Sequence, residues 1–146
     1  MFRTSTAVWR GSGLEGQGQL TTQSGVLNGQ PYGFKARFQS EDGKAGTNPE
    51  ELIAAAHASC FTMALSAQLT NAGHEPTELQ TTATVSIDKQ DSGWAITSIH
   101  LDTHGTVPGV SSDQFQKLAE DAKKGCPISR ALASVPSITL TAKLDS

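Results

Sequence analysis

The alternation of apolar and polar residues predicts short strands in the first 40 residues, separated by glycine turns. Two of these predicted strands cover residues 6–9 and 19–22. A third covers residues 34–38, where the apolar residues fall on one face and Lys35 and Arg37 fall on the other. The N-terminal part of the chain is therefore predicted to be a small β structure.

A strong helix start follows in the segment Thr47-Asn48-Pro49-Glu50-Glu51. Asn48 can cap the helix, Pro49 suits the first helical position, and Glu51 has the spacing of a capping box. We expect this helix to run to about Asn71, with Gly73 as its terminator. The strand pattern thus gives way to one long helix.

The second half of the chain returns to strands and then changes to helices and a last strand. The predicted elements are a hairpin of strands 79–88 and 94–102 with its turn at residues 90–93, a helix over 112–124, a short helix from Cys126 to about residue 134, and a half-buried strand over 138–144. This order predicts a single α+β domain over residues 1–146, with an antiparallel sheet packed on helices.

Residues 52–69 carry no charge over 18 positions, which is at the edge of the length that spans a membrane. Several of these residues are polar and six are alanine, so a buried central helix is the better interpretation. The first residues lack the charged segment, apolar stretch and small-residue cleavage site of a signal peptide, and we expect a cytoplasmic protein that does not bind membranes.

Composition adds two constraints. Hydrophobic residues make up 36% of the 146 residues and aromatic residues only 5%, which is a thin core for this length. Association with a second copy would bury more apolar surface, so a homo-oligomer is plausible. The net charge of −3 argues against a nucleic-acid partner, because phosphate binding needs clustered basic residues.

The two cysteines, Cys60 and Cys126, are the main candidates for chemistry. A reducing compartment disfavours static disulfides, so they are either inert core residues or redox-active. Cys60 lies in the middle of the long helix, where a buried small hydrophobe is the ordinary interpretation. Cys126 lies at a predicted N-cap after Lys123 and Lys124, and local sequence favours it as the more acidic thiol.

Other candidate residues have ordinary explanations when taken alone. Arg37 fits the polar face of a surface strand, and Glu50 is stabilised by the helix dipole in a first turn. His57 precedes Cys60 by three residues and can face it, but two ligands do not complete a zinc site. His100 and His104 are not on one helical face, so no metal is predicted, and no glycine-rich phosphate loop follows a strand, so no cofactor is predicted either.

Three segments nevertheless resemble a known family. They are Ser24-Gly25-Val26-Leu27-Asn28-Gly29-Gln30-Pro31-Tyr32-Gly33-Phe34, the run from Gly46 through Asn48-Pro49-Glu50-Glu51-Leu52 to Ser59-Cys60-Phe61, and Gly125-Cys126-Pro127. Together they closely resemble the OsmC/Ohr family over essentially the whole chain. The Gln-Pro-Tyr-Gly-Phe segment is similar to the OsmC branch, the osmotically inducible proteins of bacteria.

The resemblance implies a fold with antiparallel sheets around a long central helix in an intertwined homodimer. It implies a thiol-dependent peroxidase that acts on organic hydroperoxides, with Cys60 as the peroxidatic thiol and Cys126 as the resolving thiol. Arg37 matches the arginine beside the reactive thiol, and Glu50 matches the acid that orients that arginine. The family match therefore reverses the local preference for Cys126 as the attacking thiol.

Mechanism and partners follow from this resemblance together with thiol chemistry. Cys60 becomes a sulfenic acid, Cys126 condenses with it to a disulfide, and an external dithiol reduces that disulfide. The Ohr branch uses lipoylated proteins, and the reductant of this chain is left open. Two alternatives stay open as well: a disulfide reductase or redox sensor that acts on protein partners, and a non-enzymatic stress-induced binding protein.

Overall fold

A computed structural model describes all 146 residues and contains six strands and four helices. The chain divides into two compact units, Met1–Leu52 and Ile53–Ser146, and each is described by itself. In chain order the elements are β1 (Ser5–Arg10), β2 (Gln17–Thr22), β3 (Gln30–Tyr32), α1 (Phe34–Phe38), α2 (Pro49–Asn71), β4 (Glu78–Gln90), β5 (Gly93–Thr106), α3 (Ser112–Gly125), α4 (Pro127–Ala131) and β6 (Ser137–Leu144).

The first unit holds an antiparallel sheet in the order β1-β2-β3. The first two predicted strands are confirmed and are slightly longer than predicted. Strand β3 was not predicted, because its three residues include Pro31 and show no clear alternation.

The predicted third strand is wrong: residues 34–38 form helix α1. The Arg37 N–H donates to the Gly33 carbonyl, at 3.1 Å, which is a helical hydrogen bond. Phe34 and Phe38 lie four positions apart and so share one face of a helix as well as one face of a strand, with ring centroids 6.0 Å apart. Five alternating residues fit the period of a strand and the period of a helix equally well, so the pattern could not distinguish the two. In the structure Arg37 extends from a helix.

The long helix α2 begins and ends as predicted. The Asn48 side chain accepts a hydrogen bond from the Glu51 N–H at 2.8 Å, which is the predicted N-cap. The Glu51 carboxylate does not complete the predicted capping box with Asn48, because it accepts from the Thr47 hydroxyl at 3.3 Å. At the other end Gly73 has φ 85°, and its N–H donates to the Thr70 carbonyl.

The second unit contains a sheet in the order β4-β5-β6. The predicted hairpin is confirmed, with Gln90 opposite Gly93 across a tight turn. The α+β class is also confirmed, but β6 pairs with β5 in parallel and not in the antiparallel sense expected. The reason is that α3 and α4 lie between these strands in the sequence, and a helical crossover returns the chain in the same direction.

The core of the second unit forms where α2, β5 and α3 meet. Helix α2 contributes a fully buried row at intervals of four residues, and the other two elements contribute further fully buried residues; in order these are His57, Phe61, Leu65, Leu69, Ile99, Leu101, Phe115, Ala119 and Ala122. Gly105 of β5 lies under the Phe115 ring, where an added Cβ would approach within 2.7 Å. Only a glycine lets α3 pack this closely on the sheet.

The opposite face of α2 is exposed. The helix is long and apolar enough to cross a membrane by length and composition, with a mean hydropathy of 1.4, yet only 22% of its most apolar stretch is buried. Met63 on this face is 74% exposed. The predicted helix is thus confirmed, but within one chain only one face of it is buried.

Candidate active site

The two cysteines lie side by side in the second unit. Cys60 is on α2, and Cys126 is the single residue between α3 and α4. Both thiols are free, and they are close enough for each to shift the pKa of the other. Cys60 is half-buried, whereas Cys126 is fully buried. Solvent therefore reaches Cys60 but not Cys126.

The position of Cys126 follows from its two capping roles. Its N–H donates to the Ala122 carbonyl at 2.8 Å and closes α3, and its sulfur accepts from the Ser129 N–H at 3.5 Å and begins α4. Pro127 occupies the first position of α4, where no N–H is needed. The Lys123 ammonium donates to the Ile138 carbonyl at 3.1 Å, and Lys123 is not among the groups that lower the pKa of Cys126.

The surroundings of the two thiols shift their pKa values in opposite directions. Burial raises the pKa of Cys60, and the neighbouring Cys126 raises it further, against a lowering by the Ile128 N–H. Burial also acts to raise the pKa of Cys126, but hydrogen bonds from the Ser129 N–H, the Cys60 thiol, the Ser129 hydroxyl and the Ile128 N–H outweigh it and lower that pKa. Within this chain Cys126 is thus the more acidic thiol, as its local sequence indicates.

Two further residues lie near Cys126: Ser129, which the sequence analysis missed, and His57, to which it gave no role. The His57 Nε2 and the Ser129 Oγ lie 2.7 Å apart in a hydrogen bond buried from solvent. Burial lowers the pKa of His57, so its ring is neutral near pH 7. Two spacings in the sequence could have indicated this contact: Ser129 at the third position after an N-cap cysteine, and His57 in the buried row of α2.

Arg37 and Glu50 form an ion pair in the first unit. The guanidinium makes two contacts with the carboxylate, at 3.1 Å from Nε to Oε2 and at 2.6 Å from Nη2 to Oε1. Glu50 is only 8% exposed, and the Arg37 guanidinium carbon lies 4.9 Å from the centre of the Phe38 ring. A two-point contact of this kind fixes the plane and direction of the guanidinium.

The structure places the four predicted residues in two separate pairs, Cys60 with Cys126 and Arg37 with Glu50. The catalytic roles assigned to these residues stay a prediction. Taken with the α+β fold, two free neighbouring thiols, one partly exposed and one buried, are typical of the class of dithiol redox proteins.

Comparison with known proteins places the chain within this class. The family model described as OsmC-like protein matches residues 41–141, and the chain belongs to that family. It is 51% identical to the Peroxiredoxin OsmC of Escherichia coli (strain K12) over 146 residues, which covers 100% of this chain and 99% of that protein. It is 33% identical to an organic hydroperoxide resistance protein of Xanthomonas axonopodis pv. citri over 100 residues, or 68% of each chain.

Solved structures agree on the fold. The crystal structure of the organic hydroperoxide resistance protein OhrB of Bacillus subtilis matches with a TM-score of 0.71 and 26% identity, over 97% of this chain and 98% of that one. An OsmC protein of Legionella pneumophila matches with a TM-score of 0.73 over 98% of this chain and 97% of that one, at 22% identity. The predicted family and fold class are therefore confirmed.

Proposed function

We propose that this chain is a thiol-dependent peroxidase that reduces organic hydroperoxides to alcohols in defence against oxidative and osmotic stress. Its relatives over the full and partial length are named as a peroxiredoxin and as organic hydroperoxide resistance proteins. The observation that carries the proposal is the pair of free neighbouring thiols, of which Cys60 is partly exposed and Cys126 is buried. In this arrangement Cys60 can react with the peroxide first, and Cys126 can then form a disulfide with the oxidised Cys60.

The reaction proceeds in three steps. The Cys60 thiolate attacks the distal oxygen of the hydroperoxide, the O–O bond breaks, and the alkoxide leaves as an alcohol after taking a proton. Cys60 is now a sulfenic acid, and Cys126 attacks its sulfur to form the disulfide with loss of water. An external dithiol, for which a lipoyl group is the candidate, reduces the disulfide by exchange.

Arg37 and Glu50 prepare the first step. A guanidinium beside a thiol stabilises the thiolate and so lowers its pKa, which offsets the effect of burial on Cys60. The contact with Glu50 uses Nε and Nη2 of Arg37, which leaves Nη1 to face a thiolate or a peroxide oxygen. The Phe38 ring beside the guanidinium supplies an apolar wall that suits the organic part of the substrate.

The working unit in this proposal is a homodimer. The exposed face of α2 carries Ala55, Ser59, Met63 and Ala67 at intervals of four residues, and a second copy is a suitable cover for it. Glu50 and Cys60 are ten positions apart on α2, or roughly 15 Å along a helix axis. If the two α2 helices pack antiparallel, the Arg37–Glu50 pair of one subunit serves Cys60 of the other.

Subunit complementation tests this sharing of the site. Cys60→Ser is inactive in this scheme and Glu50→Ala is weakened, but a mixture of the two variants forms hybrid dimers that pair an intact Cys60 with an intact Glu50. Hydroperoxide consumption of the mixture should exceed that of Glu50→Ala alone. A monomer in solution, or no recovery after proven subunit exchange, would show that each site is built within one chain.

Consumption of hydroperoxide by the purified protein tests the function itself. With dihydrolipoamide as reductant, we expect faster turnover of an alkyl hydroperoxide than of hydrogen peroxide, because an apolar approach to the thiol favours the bulkier substrate. Cys60→Ser is the matched control. No consumption with any dithiol supports a binding protein, and turnover of protein disulfides in its place supports a disulfide reductase. Cytoplasmic localisation and the single-domain organisation stay predictions from the sequence.

A further inference from the structure

A line of buried polar groups continues from the thiol pair into the core of the second unit. The Ser129 N–H donates to the Cys126 sulfur at 3.5 Å, and the His57 Nε2 lies 2.7 Å from the Ser129 Oγ. His57 is fully buried and Ser129 is 9% exposed. Burial of polar side chains costs free energy unless they are hydrogen-bonded, and these two side chains bond each other.

The direction of the hydrogen bonds in this line depends on the tautomer of His57. The His57 Nδ1 is buried and has no hydrogen-bond partner. A proton on Nδ1 would therefore leave a buried donor unsatisfied, whereas a proton on Nε2 is donated to the Ser129 Oγ. With Nε2 as donor, the serine oxygen accepts from the histidine, and its own hydrogen is free to turn toward the Cys126 sulfur.

We propose that Ser129 and His57 are positioning residues of Cys126: His57 donates from Nε2 to the Ser129 Oγ, which directs the Ser129 hydroxyl onto the Cys126 sulfur. The Ser129 N–H donates to the same sulfur at 3.5 Å, so one residue holds the thiolate by two donors. The neutral state of His57 that this requires agrees with the lowering of its pKa by burial.

If the proposed function holds, this positioning of Cys126 matters in the second step of turnover, the formation of the disulfide. Once Cys60 is a sulfenic acid, it no longer offers the S–H donor that helps to stabilise the Cys126 thiolate. The Ser129 donors remain. The Cys126 thiolate then forms the S–S bond as the S–O bond of Cys60 breaks, and the departing hydroxide takes a proton from solvent. His57 neither gains nor loses a proton in this step.

The direct test is the pKa of Cys126, measured from the ultraviolet absorbance of the thiolate against pH. A Cys60→Ser background leaves Cys126 as the single cysteine, and its serine hydroxyl is common to every variant compared. Adding Ser129→Ala should raise the pKa of Cys126 by about one pH unit, or about tenfold less thiolate below that pKa. Ser129→Thr, which keeps the hydroxyl, should not raise it.

The histidine variants separate positioning from packing. His57→Leu removes the donor and should raise the pKa of Cys126, while His57→Gln places an amide donor near the position of Nε2 and should restore it. Ser98→Ala, at a half-buried serine of β5, is the matched control and should change nothing. An unchanged pKa in Ser129→Ala, or the same rise in Ser98→Ala, would overturn the proposal, and so would failure of His57→Gln to restore the pKa.

Single-turnover kinetics in the dithiol protein supply the second readout. With one equivalent of alkyl hydroperoxide, Ser129→Ala should consume the peroxide at a near-normal rate and form the disulfide about tenfold more slowly. With excess hydroperoxide, it should give more over-oxidised Cys60 in the mass spectrum. Equal slowing of both steps would contradict a role specific to Cys126. If no variant consumes peroxide but the titration behaves as expected, the proposed function fails and the positioning of Cys126 stands.

Discussion

Replacing Cys60 with serine is expected to reduce hydroperoxide consumption to the rate of the buffer, because the alcohol at this position is not a nucleophile near neutral pH. Cys126→Ser should behave differently. One equivalent of hydroperoxide per subunit should convert Cys60 of this variant to the sulfenic acid, and a second equivalent should then oxidise it to the sulfinic acid, since no second thiol condenses with it. Peroxide loss and peptide mapping by mass spectrometry measure both outcomes.

Because its pKa is lowered, Cys126 could instead be the attacking thiol and Cys60 the resolving thiol. The same two variants decide between these assignments. Acidity alone would favour Cys126 as the attacking thiol, but Cys126 is fully buried while Cys60 is partly exposed. A buried thiolate cannot meet an organic hydroperoxide without movement of the protein. If Cys126→Ser blocks the first oxidation and Cys60→Ser does not, then the roles of the two cysteines are reversed.

Arg37→Ala should slow the reaction with hydroperoxide by about 100-fold near neutral pH, since loss of an adjacent positive charge raises a thiol pKa by about two pH units. The loss should shrink as the pH rises toward the pKa of Cys60, because the thiolate then forms without the guanidinium. Arg37→Lys should also be impaired, because an ammonium cannot make the two-point contact with Glu50. Rates measured across pH test all three statements.

Thermal unfolding of the same variants provides the control for Arg37. Removal of the guanidinium leaves Glu50 mostly buried without its partner, so some loss of stability is expected in Arg37→Ala. The fall in rate should nevertheless persist at temperatures where the variant is fully folded. A folded Arg37→Ala protein with the activity of the unchanged chain would remove Arg37 from the site.

The sequence predicted the elements whose signals are local and strong. The Asn48 cap, the end of α2 at Gly73 and the hairpin turn before Gly93 each depend on a few adjacent residues. Residues 34–38 were misassigned because five residues fit two periods equally well. The parallel pairing of β6 was missed because it depends on where α3 and α4 return the chain, which no local pattern records.

The candidate site divides in the same way. Cys60 and Cys126 stood out because the chain has only two cysteines. Their contact, and the contact of Arg37 with Glu50, were inferred only through resemblance to a family, since each pair joins distant parts of the sequence. The line from Cys126 through Ser129 to His57 was not inferred at all. It joins residues 72 positions apart, and a serine and a histidine considered singly have ordinary roles.

The capping of two helices by Cys126 links the redox state of the chain to its stability. A disulfide to Cys60 would tie the junction of α3 and α4 to α2 and close a long loop in the unfolded chain, which stabilises the oxidised form by about 4 kcal/mol in a chain-entropy estimate. Any stability gained on oxidation lowers the reduction potential of the disulfide, by about 30 mV for each 1.4 kcal/mol. If the proposed disulfide forms, the fold would thereby restrict the electron donor to a strongly reducing dithiol.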